Sequence, residues 1–138
     1  MNTFLRLSIA NDLGDLKRAV QEVDQFLSQH DVSPRLVQVI RLAIEEVVTN
    51  IIKYGYDDEE SHHCDVTLAL ATPPTMTIED DGRPFNPLTD APAPMLEGPV
   101  EARAIGGLGL HLLRSLSLRL HYQRENGRNK LQIDFPNG

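Results

Sequence analysis

The chain has 138 residues, of which 41% are hydrophobic and 24% charged, the size of a single domain. At that length folding buries about two-thirds of the accessible surface, so a core forms without disulfides or a structural metal. Thirteen Lys and Arg against twenty Asp and Glu leave a net charge of −7, which argues against direct nucleic-acid binding and against docking on an anionic membrane. The single cysteine, Cys64, has no internal partner and suits a reducing compartment. No secretory pattern opens the sequence, and no apolar run approaches the ~18 residues of a membrane span. The expectation is a soluble, cytoplasmic domain.

Residues 3–9 alternate in character and predict a short strand. Asn11 is the expected N-cap of a helix over 12–28, where Leu13, Leu16, Val20, Val23 and Leu27 recur at helical spacing. Ser33-Pro34 signals a second helix start, and that helix is expected to run to Tyr54 and stop at a left-handed Gly55 cap. The acidic run 57–60 reads as a solvated turn. Residues 66–70 and 75–78 predict strands joined as a hairpin through Pro73-Pro74, and Asp81-Gly82 ends the second of them. From 84 to 107 periodicity disappears and five of the nine prolines gather. A stretch this long inside a small domain is a functional lid or a disordered segment. A helix over 108–118 follows, then strands 118–124 and 128–135 turning at Asn126-Gly127. The order β-α-α-β-β-lid-α-β-β predicts one α+β domain over 1–138, a two-layer α/β sandwich. A mixed sheet of about five strands is covered on one face by three helices.

Three segments carry chemistry. In the second helix, Leu36, Ile40, Ala43, Ile44, Val47, Val48 and Ile51 share an apolar arc, while Arg35, Gln38, Arg41, Glu45, Thr49 and Lys53 lie opposite. Glu46 and Asn50, four residues apart, stand one above the other at the border. They are either polar flanks of a core or a carboxylate and an amide aimed into a cleft beside the sheet. Asp80-Asp81-Gly82 is either an Asx-type turn or a strand-end carboxylate that accepts from an exocyclic amine, with a glycine that lets a flat ring approach. Gly106-Gly107-Leu108-Gly109-Leu110 is either a hinge or a helix start whose backbone N–H groups face an anion. The G-x-x-x-x-G-K-[ST] loop is absent, G-x-G-x-x-G fails at Leu112, and the H-R-D and D-F-G signatures are missing. His62-His63-Cys64-Asp65 lacks a second ligand cluster, so it reads as a loop entering a strand, and His111 as a helix-face residue.

In order along the chain, Glu46-x-x-x-Asn50, Asp80-x-Gly82 and Gly107-x-Gly109, with a long loop before the last, resemble the N, G1 and G2 boxes of the GHKL (Bergerat-fold) ATPase superfamily. EEVVTNIIKYGY, DDGRPFNP and GGLGLHLLRSL are most similar to bacterial anti-sigma-factor serine kinases of partner-switching systems. The resemblance implies a pocket for ATP under a lid at 84–107. It makes Glu46 the general base and Asn50 the ligand of Mg²⁺. Asp80 becomes the adenine acceptor with Gly82 beside the ring, and Gly107, Leu108, Gly109 and Leu110 form the phosphate loop. Arg103 would bring positive charge from the lid. Pro84 replaces the second glycine of a full D-x-G-x-G box, in the D-x-G-x-P-F form of that branch. The phosphoacceptor helix of a sensor kinase is not found upstream, so the acceptor is expected on another protein, a STAS-domain anti-anti-sigma protein, with a sigma factor or other regulator as competitor. The family commonly pairs as homodimers. The alternative is a non-catalytic ATP-binding module that sequesters a regulatory partner.

Overall fold

A computed structural model describes residues 3–86, 89–90 and 108–137. Along them run β1 (Phe4–Ala10), α1 (Leu13–Ser28), α2 (Pro34–Tyr54), β2 (His63–Ala69), β3 (Thr75–Asp80), α3 (Leu108–Leu116), β4 (Arg119–Glu125) and β5 (Arg128–Asp134). Period-two alternation decides the layering. Leu7 and Ile9, Cys64, Val66 and Leu68, Met76 and Ile78, and Leu131 and Ile133 are buried on one face of the sheet. The other face carries Arg6, Asp65, Thr77, Glu79 and Lys130, with Arg128 bridging Asp65 and Glu79. An antiparallel sheet tolerates such a solvated face, so all three helices share the apolar side. There α1 packs on β1, α2 on β3 and α3 against α2.

The strand order is β1-β2-β3-β5-β4. The two layers and five strands are as expected, with one difference: the described pairings are antiparallel throughout, where a mixed sheet was expected. The reason is the number of helices in the first crossover. Two helices between β1 and β2 bring the chain back to the end of β1, where Asn11 N–H donates to the His62 carbonyl (2.9 Å), so β2 runs the other way.

Several boundaries shift for local reasons. Asp12, not Asn11, caps α1, its carboxylate accepting from Asp15 N–H (2.7 Å). Asn11 instead accepts from His62 N–H (3.1 Å) and donates to the Glu60 carbonyl (3.4 Å), tying the 57–62 turn to the end of β1. Ser33 caps α2 as expected, accepting from Leu36 N–H at 3.1 Å. Helix α3 ends earlier than 118, because Leu118 N–H donates to the Asp134 carbonyl (2.8 Å) and the chain has already joined the sheet. Asn126 and Gly127 both adopt positive φ (53° and 74°), as the two-residue β4–β5 hairpin requires.

Gly55 overturns the expectation of a left-handed cap: its φ is −77°. Glycine is required there by close approach, since a Cβ would lie 2.6 Å from the Ile51 carbonyl. The Gly55 carbonyl in turn receives Arg83 N–H (2.9 Å). This contact draws the segment after β3 onto the end of α2.

Candidate functional site

Along β3 the buried row Met76, Ile78 ends in Asp80, and along β5 the row Ile133, Leu131 ends in Asn129. The two are register partners, each only 4% exposed, so the apolar face of the sheet ends in a buried polar pair. Asp80 Oδ1 accepts from Gly82 N–H (2.9 Å) and from Asn129 Nδ2 (2.9 Å). The same Nδ2 donates to the Arg83 carbonyl (2.8 Å), while Asn129 Oδ1 accepts from Phe85 N–H (3.3 Å) and the Tyr122 hydroxyl. Burial pushes the Asp80 carboxyl above the ordinary aspartate value, against the lowering effect of both hydrogen bonds. Arg124 fixes the turn further by donating to the Gly82 carbonyl (2.8 Å).

Asp80 and Asn129 wall a small hollow of about 10 Å³ under the second half of α2, closed by Val47, Ile51, Ile78, Phe85, Tyr122 and Leu131. That is room for one water at most. A planar base enters only if the wall parts, and Phe85 is the wall residue that belongs to no helix or strand. Its ring leans on Tyr54, centroids 5.6 Å apart.

On α2, Val47 and Ile51 face this hollow, and Glu46 and Asn50 stand half-buried beside them. Burial raises the Glu46 carboxyl, the neighbouring Glu45 charge raises it further, and Lys53 opposes both. Gly109, in the first turn of α3, presses on this side chain so closely that a Cβ would overlap its carboxyl group. The first turn of α3 therefore lies directly beside the Glu46 carboxyl. Leu110 contributes backbone only, since its side chain is buried in the core.

Thus α2 meets the end of β3 through the hollow and the Gly55–Arg83 contact, and meets the start of α3 through Glu46 and Gly109. Arg103 and Gly107, and the Leu108 side chain, lie outside the described residues. Asn129 and Tyr122 were missed from the sequence. The available signal was alternation: in R-N-K-L-Q-I-D-F, Asn129 falls in phase with Leu131, Ile133 and Phe135.

The glycines make different demands. At Gly82 a Cβ would collide with the Gly55 carbonyl and come within 2.9 Å of Asp80 Oδ1. Backbone cannot give way cheaply, so Gly82→Ala is expected to cost ~1–3 kcal/mol in a denaturant titration. At Gly109 the obstacle is the end of a flexible glutamate. Gly109→Ala is expected to keep stability within ~1 kcal/mol, since alanine favours the helix. It displaces the Glu46 carboxylate instead, with a loss of about 10²-fold in any reaction that depends on its position.

Elsewhere, Cys64 is a core residue whose thiol burial pushes up to about 12, which keeps it unreactive. Asp58, Glu60 and His62 bring ligand-type atoms together in the acidic turn. Hydrogen bonds from His62 (2.7 Å) and Glu60 N–H (3.0 Å) to Asp58 account for their grouping. His62 also stacks on Tyr56, whose hydroxyl donates to Asp81 (2.7 Å). An open groove of about 600 Å³ between the start of α2 and the end of α3, lined by Arg35, Ser115 and Leu118 among others, contains none of the candidate site residues. Among the described residues no helix is long and apolar enough to cross a membrane.

A helical layer on an antiparallel sheet, with a buried carboxylate at a strand end and a polar border on the central helix, has the layout of an ATPase domain of the histidine-kinase type. The match to the histidine kinase-like ATPase domain extends over residues 9–135, and the chain belongs to that family. It is similar to the serine/threonine-protein kinase BtrW of Bordetella bronchiseptica, 29% identical over 102 residues that cover 73% of this chain and 71% of that protein. Its fold is similar to the crystal structure of the RsbU and RsbW domains of Rv1364c from Mycobacterium tuberculosis (TM-score 0.67, 14% identity). That match covers 99% of this chain and 33% of the other, so the chain spans about a third of its length.

Proposed function

We propose that the domain is an ATP-dependent protein-serine kinase of a partner-switching system, a cytoplasmic anti-sigma regulatory factor acting on a STAS-domain antagonist. The observation that carries this reading is the half-buried Glu46 held against the first turn of α3, on the same helix that walls the Asp80 hollow. A binding module needs no carboxylate there, whereas a kinase needs a base beside the phosphates. The raised affinity of Glu46 for protons moves it toward the strength useful in a base near neutral pH.

In this reading Asp80 accepts the exocyclic amine of adenine, and the N–H groups of Gly109 and Leu110 face the phosphates, with Gly107, Leu108 and Arg103 completing the loop. Glu46 takes the proton of the acceptor serine as its oxygen bonds to the γ-phosphorus and the bond to the ADP oxygen breaks. The hard amide oxygen of Asn50, half-buried on the same helix edge, fits Mg²⁺ together with phosphate and water oxygens. When bound, the ion supplies charge neutralisation of the phosphates. Partner docking, a competing sigma factor or other regulator, and a homodimer belong to the same proposal.

The experiment is incubation with ATP, Mg²⁺ and the cognate STAS protein, read as phosphoserine by mass spectrometry. Phosphoserine formation supports the kinase. ATP binding that alters partner affinity without transfer would replace it with a nucleotide-dependent sequestering module.

A further inference from the structure

We propose that the groove between the start of α2 and the end of α3 is a second ligand site, apart from the nucleotide site, for a free amphipathic acid: an apolar chain that ends in one anionic group. The inference does not depend on the kinase reading.

The groove holds about 600 Å³, within the ~300–1,000 Å³ of small-ligand sites. Leu36 and Val39, one turn apart on α2, form one apolar wall. Leu116 and Leu118 at the α3–β4 junction and Pro136 after β5 form the rest. Leu118 is tied by its N–H to the Asp134 carbonyl (2.8 Å), yet its side chain is 60% exposed. An apolar chain laid on it removes that surface from water without further ordering of the backbone.

The polar lining favours one sign of charge. Among the described residues of the groove Arg35 is the one charged group, and no carboxylate lines it in a chain with twenty Asp and Glu. Arg35 is exposed and has no ion pair among the described residues. Its guanidinium fork fits a carboxylate or phosphate through paired hydrogen bonds. It stands in the first turn of the 21-residue α2, at the positive end of that helix's dipole. Ser117 is an independent sign of a ligand. The residue lines the groove, and its hydroxyl oxygen is buried with no hydrogen-bond partner among the described residues. Buried hydroxyls are ordinarily paired, and a turn about χ1 offers this one to an acceptor bound in the groove. An acid therefore supplies what both polar groups lack while its chain covers the leucines. The net charge of −7 disfavours an anionic membrane as the source of that acid, so the ligand is the free molecule.

The test is titration of the whole chain with decanoate, followed by amide NMR, with decylamine as the cationic control. Decanoate is expected to shift the amides of residues 35–39 and 115–118 with a Kd below ~1 mM, and decylamine to bind ~10-fold or more weaker. Arg35→Glu, an exposed change that suits a helix N-terminus, is expected to weaken decanoate by ~10-fold or more. Ser117→Ala should weaken it by about 3- to 10-fold. No binding, equal binding of the amine, or a decanoate affinity untouched by Arg35→Glu would overturn the proposal. Two other occupants would overturn it as well. Pelleting with phosphatidylglycerol vesicles without binding of free decanoate would assign the groove to a membrane surface. Self-association abolished by Arg35→Glu, again without decanoate binding, would assign it to a second copy of the chain.

Discussion

Glu46→Gln is expected to lower phosphoryl transfer to the partner serine by ~10²- to 10⁴-fold while ATP affinity changes only a few-fold. The side chain keeps its shape, so Gly109 and the first turn of α3 keep their contact. What is lost is the ability to accept a proton. Single-turnover transfer separates the two effects, because a residue that only packed against Gly109 would leave the rate intact. The pH dependence follows from the same group. Burial raises its carboxyl above the ordinary 4.5, and the reaction needs it ionised. The acid limb of the rate profile should therefore lie above that value and disappear in the glutamine variant. Equal transfer by wild type and variant would remove Glu46 from the role of base.

Asp80→Asn should separate binding from stability. The amide oxygen of the variant side chain can still accept from Gly82 N–H and Asn129 Nδ2. Its amide nitrogen then faces the hollow, where the purine amine is also a donor, and ATP affinity is expected to fall by ~100-fold or more. Stability should move the other way. The folded-state carboxyl binds protons more tightly than the free side chain. Between the ordinary value of 3.8 and the raised one, the folded protein holds more protons than the unfolded chain. Wild-type stability therefore falls as pH rises through that window, and the cost of keeping the charge buried persists at neutral pH. The neutral variant avoids it, so its Tm at pH 7 is expected at or above that of wild type. A lower Tm with ATP binding intact would contradict both halves of the argument.

The elements legible in the sequence were those whose signal is local. The helix from Ser33-Pro34 to Tyr54, the Asn126-Gly127 hairpin and the one-sided apolar strands each depend on neighbouring residues, and each is present. Features set by distant contacts were not legible. Asn11 loses the cap to Asp12 because the 57–62 turn claims its side chain from 49 and 51 residues away. Gly82 needs glycine because the Gly55 carbonyl, 27 positions earlier, comes so close, while Gly55, expected as a left-handed cap, is held to glycine by the Ile51 carbonyl. At the candidate site, Glu46, Asn50 and Asp80 could be proposed because their types and spacing resemble a known family. Asn129 could not, since an asparagine in a strand carries no signal until its register partner proves to be Asp80.

The central claim is the location of the nucleotide, and amide hydrogen exchange with and without ATP and Mg²⁺ addresses it directly. The account predicts slower exchange in the second half of α2, over residues 78–86 and in the first turns of α3. No change is predicted around Arg35 and Ser115. Protection at that open groove instead, with none at the Asp80 hollow, would contradict it.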